Sequence, residues 1–279
     1  TTEIGEEINL NSAKECITGD TRIILADGRY ERIDRLGRSD VIVGVDSEYK
    51  IKPMIADKIW KKNSQREVFK VVTSSGRVIR GTSEHPLMTA MGWSEISNLV
   101  VGDRIAVPRE LPFFGDENFE HSELLGSLIA DGGLTSSPVT YCEGHTDTRK
   151  RVEFLASRIG VTSEPCADKE AVRFPYRGHS RKNPLTEMLR EFGLHGLKSP
   201  DRFIPDRCFS FNEASVARLL KGLFNSDGSV VKCKSGRTSI SYVTASETLA
   251  RDVQHLLTRF GIWSNLSTEY VPESYTDKA

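Results

Sequence analysis

Residues 124–133 read LLGSLIADGG, and residues 219–228 read LLKGLFNSDG. Each stretch is an apolar run that has a glycine inside it and Asp-Gly towards its end. A glycine in a helix interior costs about 1 kcal/mol relative to alanine, so two helices that keep Gly126 and Gly222 at the same offset indicate close backbone approach there. The two stretches therefore predict a pair of helices that pack through their glycines.

The aspartates near the ends of these stretches are Asp131 and Asp227. If the helices pack on each other, the two carboxylates emerge side by side. Two adjacent carboxylates form a site for a divalent metal. The alternative is that each aspartate only forms a turn before glycine at a helix end, and the presence of two matched copies favours the metal site.

The pattern after each Asp-Gly is repeated as well. Short strand candidates at 138–142 and 170–176 flank a predicted helix over 149–161. A hairpin that turns at Ser235-Gly236 precedes a strongly amphipathic helix from residue 247. The two aspartates lie 96 residues apart. We interpret this as an internal duplication of an α-β-α unit, which predicts two related halves of one domain.

Residues 16 to about 110 have a different pattern. RIILADGRYERI (22–33) and VFKVVTSSGRVIRGT (68–82) place β-branched runs on either side of Asp-Gly and Ser-Gly turns, which is typical of hairpins. LVVGDRIAVP (99–108) predicts one more short strand. Many short strands without helical periodicity predict an all-β unit.

The composition is that of a globular protein, with 279 residues, 28% charged and 38% hydrophobic. No apolar stretch is long enough to span a membrane, and the polar, acidic N-terminus is unlike a signal peptide. The five cysteines are scattered without CxxC spacing, which argues against a disulfide framework or a zinc cluster. We therefore expect a cytoplasmic, intracellular protein with no membrane partner.

Residues 144–207 form a basic tract that contains thirteen Lys or Arg and nine Asp or Glu. On charge alone it is either a solvated face or a surface for nucleic acid, and it favours the second only beside a site that needs phosphate. The candidate DNA-binding residues in this tract and in the later hairpin are Arg149, Lys150, Arg151, Arg173, Arg177, Arg181, Lys182, Lys234 and Arg237.

The β unit has chemistry of its own, because it opens with Cys16 in CITGDT and later carries His85 in GTSEHP. A cysteine and a histidine can act as nucleophile and acid-base catalyst. They can equally be a buried apolar residue and a loop histidine. Their spacing alone does not decide between these interpretations.

The arrangement resembles the N-terminal part of an intein splicing domain, the Hint fold shared with hedgehog autoprocessing domains. The resemblance lies in Cys16, the Gly-Asp-Thr turn at 19–21, and the Thr-x-x-His motif of Thr82 and His85. The two Asp-Gly stretches resemble the paired LAGLIDADG motifs of homing endonucleases, which commonly lie inside inteins.

Two further blocks resemble parts of such endonucleases. GLKSPDRFIP (196–205) is similar to the block between the two motifs, with Arg202 in place of the family's lysine, and SETLARDVQHLLTRFGI (246–262) is similar to the helix after the second motif. The individual motifs are loose, but their order is specific, and together they cover residues 16 to about 270.

The resemblance implies a multi-domain chain. Residues 1–15 would be flanking host sequence, the N-extein, and 16–112 the N-terminal part of an all-β, horseshoe-like Hint domain. Residues 113–279 would be an α+β LAGLIDADG homing endonuclease domain with pseudo-two-fold αββ repeats, acting as a monomer.

For splicing, the resemblance implies an N–S acyl shift in which Cys16 attacks the carbonyl of Glu15 and forms a thioester. His85 would protonate the departing nitrogen, and Thr82 would hold the scissile amide or its oxyanion. No cofactor is expected for this step.

For the endonuclease, the resemblance implies that Asp131 and Asp227 bind Mg²⁺ and that each helps to cut one strand of double-stranded DNA. A basic residue near the metals would assist the hydrolytic water. Lys198, Arg202 and Lys232 are the candidates.

The last residues, VPESYTDKA (271–279), do not include the terminal His-Asn of an intein. We therefore expect a separate or missing C-terminal intein segment as a partner, and unpaired strand edges in the β unit. Two alternatives stay open: a splicing intein whose endonuclease domain has decayed to DNA binding, and a Cys-His hydrolase for which the Asp-Gly duplication has no role.

Overall fold

The computed structural model describes residues 16–55, 67–167, 170–177, 182–232 and 236–269. Residues 16–110, here called the β part, consist of short strands in antiparallel hairpins. The strands are β1 (Arg22–Ile24), β2 (Tyr30–Arg32), β3 (Val41–Val45), β4 (Ile51–Ile55), β5 (Val68–Val72), β6 (Val78–Thr82), β7 (Pro86–Thr89) and β8 (Gly92–Glu95).

The two predicted hairpins in this part are confirmed. β1 pairs with β2, β5 pairs with β6, and the turns contain Gly28 at φ +84° and Gly76 at φ +82°. Both are left-handed conformations that favour glycine. The predicted strand at 99–108 is wrong: those residues, all described, contribute a single bridge between Ile105 and Thr89. Asp103 instead closes a turn by accepting the Val100 N–H.

Residues 111–269, here called the helical part, mix helices with short strands. The elements are α1 (Ser122–Asp131), β9 (Gly132–Gly133), β10 (Thr140–Cys142), α2 (Thr146–Ser157), β11 (Glu164–Pro165), β12 (Ala171–Arg173), α3 (Pro184–Glu191), α4 (Glu213–Asp227), β13 (Gly228–Lys232), β14 (Thr238–Tyr242) and α5 (Glu247–Arg259).

Helices α1 and α4 pack directly against each other through their glycines, as the sequence predicts. A Cβ added at Gly126 would lie 2.1 Å from the Leu219 carbonyl oxygen, and one added at Gly222 would lie 2.2 Å from the Glu123 carbonyl oxygen. The relationship is reciprocal, since each glycine touches the carbonyl three residues before the other glycine. Backbone contact at this distance excludes any other residue.

The two halves of the helical part are similar near α1 and α4 and then diverge. Strands β11, β12, β10 and β9 form one sheet in that order, whereas β13 and β14 form a two-stranded hairpin. Helix α3, which the sequence pattern does not predict, lies only in the first half; Asn183 caps it by accepting the Leu185 N–H. The apolar core is built around α1 and α4, with Leu128, Leu219 and Leu223 fully buried.

The chain leaves the β part and returns to it at neighbouring points. The Leu111 N–H donates to the Thr258 carbonyl over 3.1 Å, and the Leu266 N–H donates to the Ser75 carbonyl over 3.0 Å. The start of the helical part therefore lies beside its last helix, α5.

Candidate functional sites

The first candidate site surrounds the backbone of Cys16. Ile17 forms an isolated bridge with Gly81 at the end of β6, and a Cβ on Gly81 would lie 3.1 Å from the Cys16 carbonyl oxygen and 3.2 Å from His85 Cβ. Gly81 thus lets the start of the described chain and the His85 turn approach the same point. Sequence spacing alone does not predict this convergence.

Thr82 contacts Cys16 through both its backbone and its side chain. The Cys16 N–H donates to Thr82 Oγ1 over 3.1 Å, and the Thr82 N–H donates to the Cys16 carbonyl over 2.8 Å. The hydroxyl is buried. It therefore accepts from the amide nitrogen of the peptide bond that joins residues 15 and 16, although Glu15 itself lies outside the described residues.

The second candidate site is the pair of aspartates at the ends of α1 and α4. Asp131 is the last residue of α1 and Asp227 the last of α4, and the two side chains are hydrogen-bonded to each other. The predicted proximity of these carboxylates is confirmed. Each also lies at the negative end of a helix dipole, which increases the need for a positive charge.

The pKa values of the two aspartates show that their negative charge is only partly compensated. Burial, the Asp227 charge and the Glu143 charge raise the pKa of Asp131 to about 7. Burial raises the pKa of Asp227, while the hydrogen bond from Asp131 and the nearby Arg202 favour its ionised form. Two close carboxylates cannot both ionise cheaply, so the pair gives up its last proton less readily than an isolated aspartate does.

Arg202 is a structural neighbour of this pair. Its Nη1 donates to the Ile129 carbonyl over 2.9 Å and to the Ala130 carbonyl, and its Nη2 donates to the Gly132 carbonyl over 2.6 Å. The buried guanidinium therefore caps the C-terminal carbonyls of α1. Its positive charge also acts to lower the pKa of both aspartates. The sequence alone gives three candidates for a basic residue near the aspartates and does not choose among them.

The other two basic candidates are differently placed. Lys198 is exposed before a short 3₁₀ helix, and Lys232 is exposed at the end of β13. Neither contributes to the pKa shifts of Asp131 or Asp227. Of the three basic candidates, Arg202 is the one whose charge reaches the carboxylate pair.

Two tyrosines beside the aspartates are absent from the sequence-based prediction. Tyr141 Oη hydrogen-bonds Ser226 Oγ at 2.8 Å, and burial raises the pKa of both Tyr141 and Tyr242. Among the described residues, the buried Tyr242 Oη has no hydrogen-bond partner. The available signal was an aromatic residue in the second strand after each Asp-Gly, but without the strand register it did not stand out.

The donor set around the aspartates fits Mg²⁺. This ion prefers oxygen ligands and is usually held by one or two carboxylates together with water and substrate phosphate. Two carboxylates whose charge Arg202 offsets only in part, beside a buried Tyr242 hydroxyl without a hydrogen-bond partner in the described ranges, match that preference. Within the described ranges, no cluster of three or more His, Cys, Asp or Glu side chains can hold a metal by itself.

The predicted DNA-binding residues lie in different environments. Arg151 makes a bidentate contact to the buried Glu123, while Arg173 and Arg177 both pair with Glu164. The arginines of the two Glu164 pairs are exposed, and such pairs contribute little to stability. Of the remaining candidates, Arg149 donates to the Glu143 carbonyl, Lys182 pairs with Glu187, Lys150 and Arg237 are exposed, and Arg181 and Lys234 lie outside the described residues.

In the part of the chain that the structure describes, no helix is long and apolar enough to cross a membrane.

Residues 214–278 match the family model of the LAGLIDADG-like domain. Over 269 residues the chain is 30% identical to the replicative DNA helicase DnaB of Rhodothermus marinus, covering 91% of this chain and 28% of that protein. It is 32% identical to DnaB of Synechocystis sp., covering 90% and 31%. It is 28% identical to RecA of Mycobacterium tuberculosis, covering 95% and 35%. The chain thus spans about a third of the length of these relatives.

Two solved structures also match. A variant of the Ssp DnaB mini-intein is 29% identical, with a TM-score of 0.32, covering 34% of this chain and 61% of that one. A DnaB intein from Synechocystis sp. is 27% identical, with a TM-score of 0.32, covering 33% and 68%.

Proposed function

We propose that this chain, which is an intein carrying a LAGLIDADG-type domain, begins protein splicing with an N–S acyl shift at Cys16 and cuts double-stranded DNA with its helical part. The observation that carries the splicing proposal is the hydrogen bond from the Cys16 N–H to Thr82 Oγ1. The observation that carries the nuclease proposal is the hydrogen-bonded pair of Asp131 and Asp227.

The comparisons support the idea of an inserted element. Similar segments occur in a replicative helicase and in RecA, and the match covers only about a third of each protein. A segment shared by otherwise different proteins is expected of an insertion that removes itself. The host of this chain is not implied by either relative.

In the proposed first step, Cys16 Sγ attacks the carbonyl carbon of Glu15. The C–S bond forms, the C–N bond to Cys16 breaks, and the thiol proton ends on the freed amine. Thr82 holds the scissile nitrogen through its hydroxyl, and His85 on the adjacent turn delivers the proton to that nitrogen. An amide nitrogen leaves poorly without this protonation.

The splicing proposal is tested by thiol treatment of the full chain, followed by mass spectrometry. Release of residues 1–15 is expected, and Cys16→Ala should abolish it. Thr82→Val, which removes the acceptor for the scissile N–H, should slow release about a hundredfold. Cys166→Ala, a matched substitution at another half-buried cysteine, should release normally. Release that persists in Cys16→Ala contradicts the proposal.

In the proposed nuclease, Asp131 and Asp227 hold Mg²⁺, which when bound polarises phosphate and lowers the pKa of a coordinated water. Arg202 fixes the end of α1 and thereby the position of Asp131. The reciprocal glycine contacts of α1 and α4 support a pseudo-two-fold arrangement of the two halves. Each half would then serve one DNA strand.

The DNA surface is proposed to include the strands that follow each helix. Hairpin β13–β14 is exposed along both strands, and Lys232 and Arg237 lie at the end where the two strands are joined. Cations on such a hairpin neutralise phosphates, while neighbouring side chains contact base edges. The exposed pairs of Arg173 and Arg177 with Glu164 are available to exchange for phosphate in the same way.

The nuclease proposal is tested with Mg²⁺ and a plasmid that carries the uninterrupted host-gene junction. Conversion of the plasmid to a linear product is expected, and Asp131→Asn or Asp227→Asn should abolish it. Gel-shift binding of the same DNA should survive in both variants. Binding without any cleavage by the unmodified chain would favour the DNA-binding-only alternative.

We further propose the domain division 16–112 and 113–279, and a polypeptide segment outside the described residues that covers the β part. Apolar side chains of its hairpins lie on the surface, including Val45, Ile55 and Val72. A C-terminal intein segment is the occupant that the splicing proposal requires, because splicing needs groups at both junctions.

A further inference from the structure

The strand register after α1 and α4 makes specific positions of the two halves equivalent. Gly132, which follows Asp131, pairs with Tyr141 on β10, and Gly228, which follows Asp227, pairs with Tyr242 on β14. The two tyrosines therefore occupy the same place relative to the two aspartates.

The equivalence extends two residues further along the chain, to Glu143 just after β10 and Thr244 just after β14. Glu143 Oε1 accepts the His145 N–H at 2.8 Å, and Thr244 Oγ1 accepts the Ser246 N–H at 3.2 Å. His145 is the N-cap of α2 and Ser246 the N-cap of α5. Both side chains thus make the same contact two residues ahead, at the start of the next helix.

The chemistry of the two equivalent positions differs. Glu143 is a buried carboxylate, only 7% exposed, whereas Thr244 is a neutral hydroxyl. Glu143 lies two residues beyond Tyr141, the strand partner of the glycine that follows Asp131. At this place its charge contributes to the raised pKa of both aspartates.

We propose that Glu143 is a positioning residue that makes the two halves of the nuclease centre unequal, drawing the divalent cation to the β10 side so that one DNA strand is cut before the other. This inference rests on the proposed nuclease function. Glu143 does not complete a set of protein ligands by itself. It acts through its charge and through water bound to the cation, as partners of metal ligands commonly do.

The first test measures Mn²⁺ binding to the protein without DNA. Calorimetry and electron paramagnetic resonance are the two readouts of the titration. Glu143→Gln keeps the acceptor for the His145 N–H but removes the charge, and Glu143→Thr copies the equivalent residue of the other half. Both should weaken Mn²⁺ binding about tenfold. Thr244→Glu should strengthen it. Unchanged far-UV circular dichroism and unfolding temperature in each variant exclude a folding defect.

The second test uses the host-junction plasmid, with each DNA strand labelled separately. The unmodified chain should pass through a nicked form in which one strand is cut first. Glu143→Thr should reduce that bias, and the double variant Glu143→Thr with Thr244→Glu should reverse it. A merely structural role for Glu143 predicts loss of activity but no reversal of strand order.

The outcomes distinguish a failure of this inference from a failure of the proposed nuclease function. If Asp131→Asn and Asp227→Asn leave Mn²⁺ binding intact, the proposed metal site is wrong, and this inference fails with it. If those variants lose binding while both Glu143 variants keep normal affinity and strand order, this inference alone is overturned.

Discussion

The helical part and the β part differ in how completely they bury their own apolar side chains. In the helical part, α1 and α4 are surrounded, and Leu124, Ile129 and Leu223 are fully buried. In the described β part, the buried apolar residues are Ile24, Leu25, Leu36 and Ile96, while many more on the hairpins are exposed.

That difference teaches which part can fold on its own contacts. A helix pair joined by backbone contact and covered by further helices forms a closed core. Separate two-stranded hairpins bury little and leave unpaired edges. The β part is therefore stabilised by its contacts with the helical part, including those with α5.

The largest expected loss of stability comes from a change at the glycine contact between α1 and α4. Gly222→Val places side-chain atoms against the Glu123 carbonyl, where a Cβ alone would lie 2.2 Å away. We expect a loss of about 3 kcal/mol or more in the free energy of unfolding, measured by denaturant titration. Gly144→Ala, where no atom lies within 4 Å of an added Cβ, should change it by less than about 0.5 kcal/mol. Similar losses in both variants would contradict the close-packed contact.

A matched pair of isoleucines tests the comparison itself. Ile129 is fully buried in the helical part, and Ile55 is 75% exposed in the β part. Ile129→Ala should lower the free energy of unfolding by about 2–5 kcal/mol because it leaves a cavity. Ile55→Ala should change it by less than about 0.5 kcal/mol. A comparable cost at Ile55 in the isolated chain would show that the β part is already closed.

The contact between the two parts is expected to contribute less. Arg259 is buried, and it donates from Nη1 to the Phe209 carbonyl over 2.8 Å and from Nη2 to the Gly28 carbonyl over 2.6 Å. Arg259→Met leaves both carbonyls unsatisfied and should cost about 2 kcal/mol. Arg190→Met removes an exposed pair with Glu187 and should cost less than about 0.5 kcal/mol. Differential scanning calorimetry distinguishes these results, and equal costs would argue against a buried bridge between the parts.

The smallest effect concerns the carboxylate pair and depends on pH. The pKa of Asp131 rises from 3.8 to about 7 on folding, so its ionisation opposes folding. Without divalent cation, the free energy of unfolding should fall as pH rises through that interval, and the loss is complete above it. Asp131→Asn should therefore be more stable than the unmodified chain at pH 8 in EDTA, by on the order of 1–2 kcal/mol after allowance for solvent screening.

The same experiment has two internal controls. The stability difference should vanish well below pH 3.8, where Asp131 carries its proton in both folded and unfolded chains. Added Mg²⁺ should stabilise the unmodified chain at pH 8 and leave Asp131→Asn unaffected. A stability difference that does not change with pH would mean that the carboxylate pair is not strained by its charge.

Sequence patterns predicted the elements that depend on local signals. The Asp-Gly and Ser-Gly turns of the early hairpins and the helix α5 follow from turn chemistry and periodicity. Helix α3 was missed because it is short, and 99–108 was predicted as a strand because β-branched residues also occur in turns. Local propensity does not report which neighbour a segment meets.

Gly126 and Gly222 were sufficient, as a repeated pattern in an apolar helix, to predict that two helices approach closely and bring Asp131 and Asp227 together. That inference holds because few arrangements other than backbone contact reward a glycine inside a helix. The close approach that Gly81 allows between Cys16 and the His85 turn, the capping of α1 by Arg202, and the equivalence of Glu143 and Thr244 were decided only by the tertiary structure. Each depends on strand register or on contacts between residues distant in the chain, and no local pattern encodes a register until the partner strand is in place.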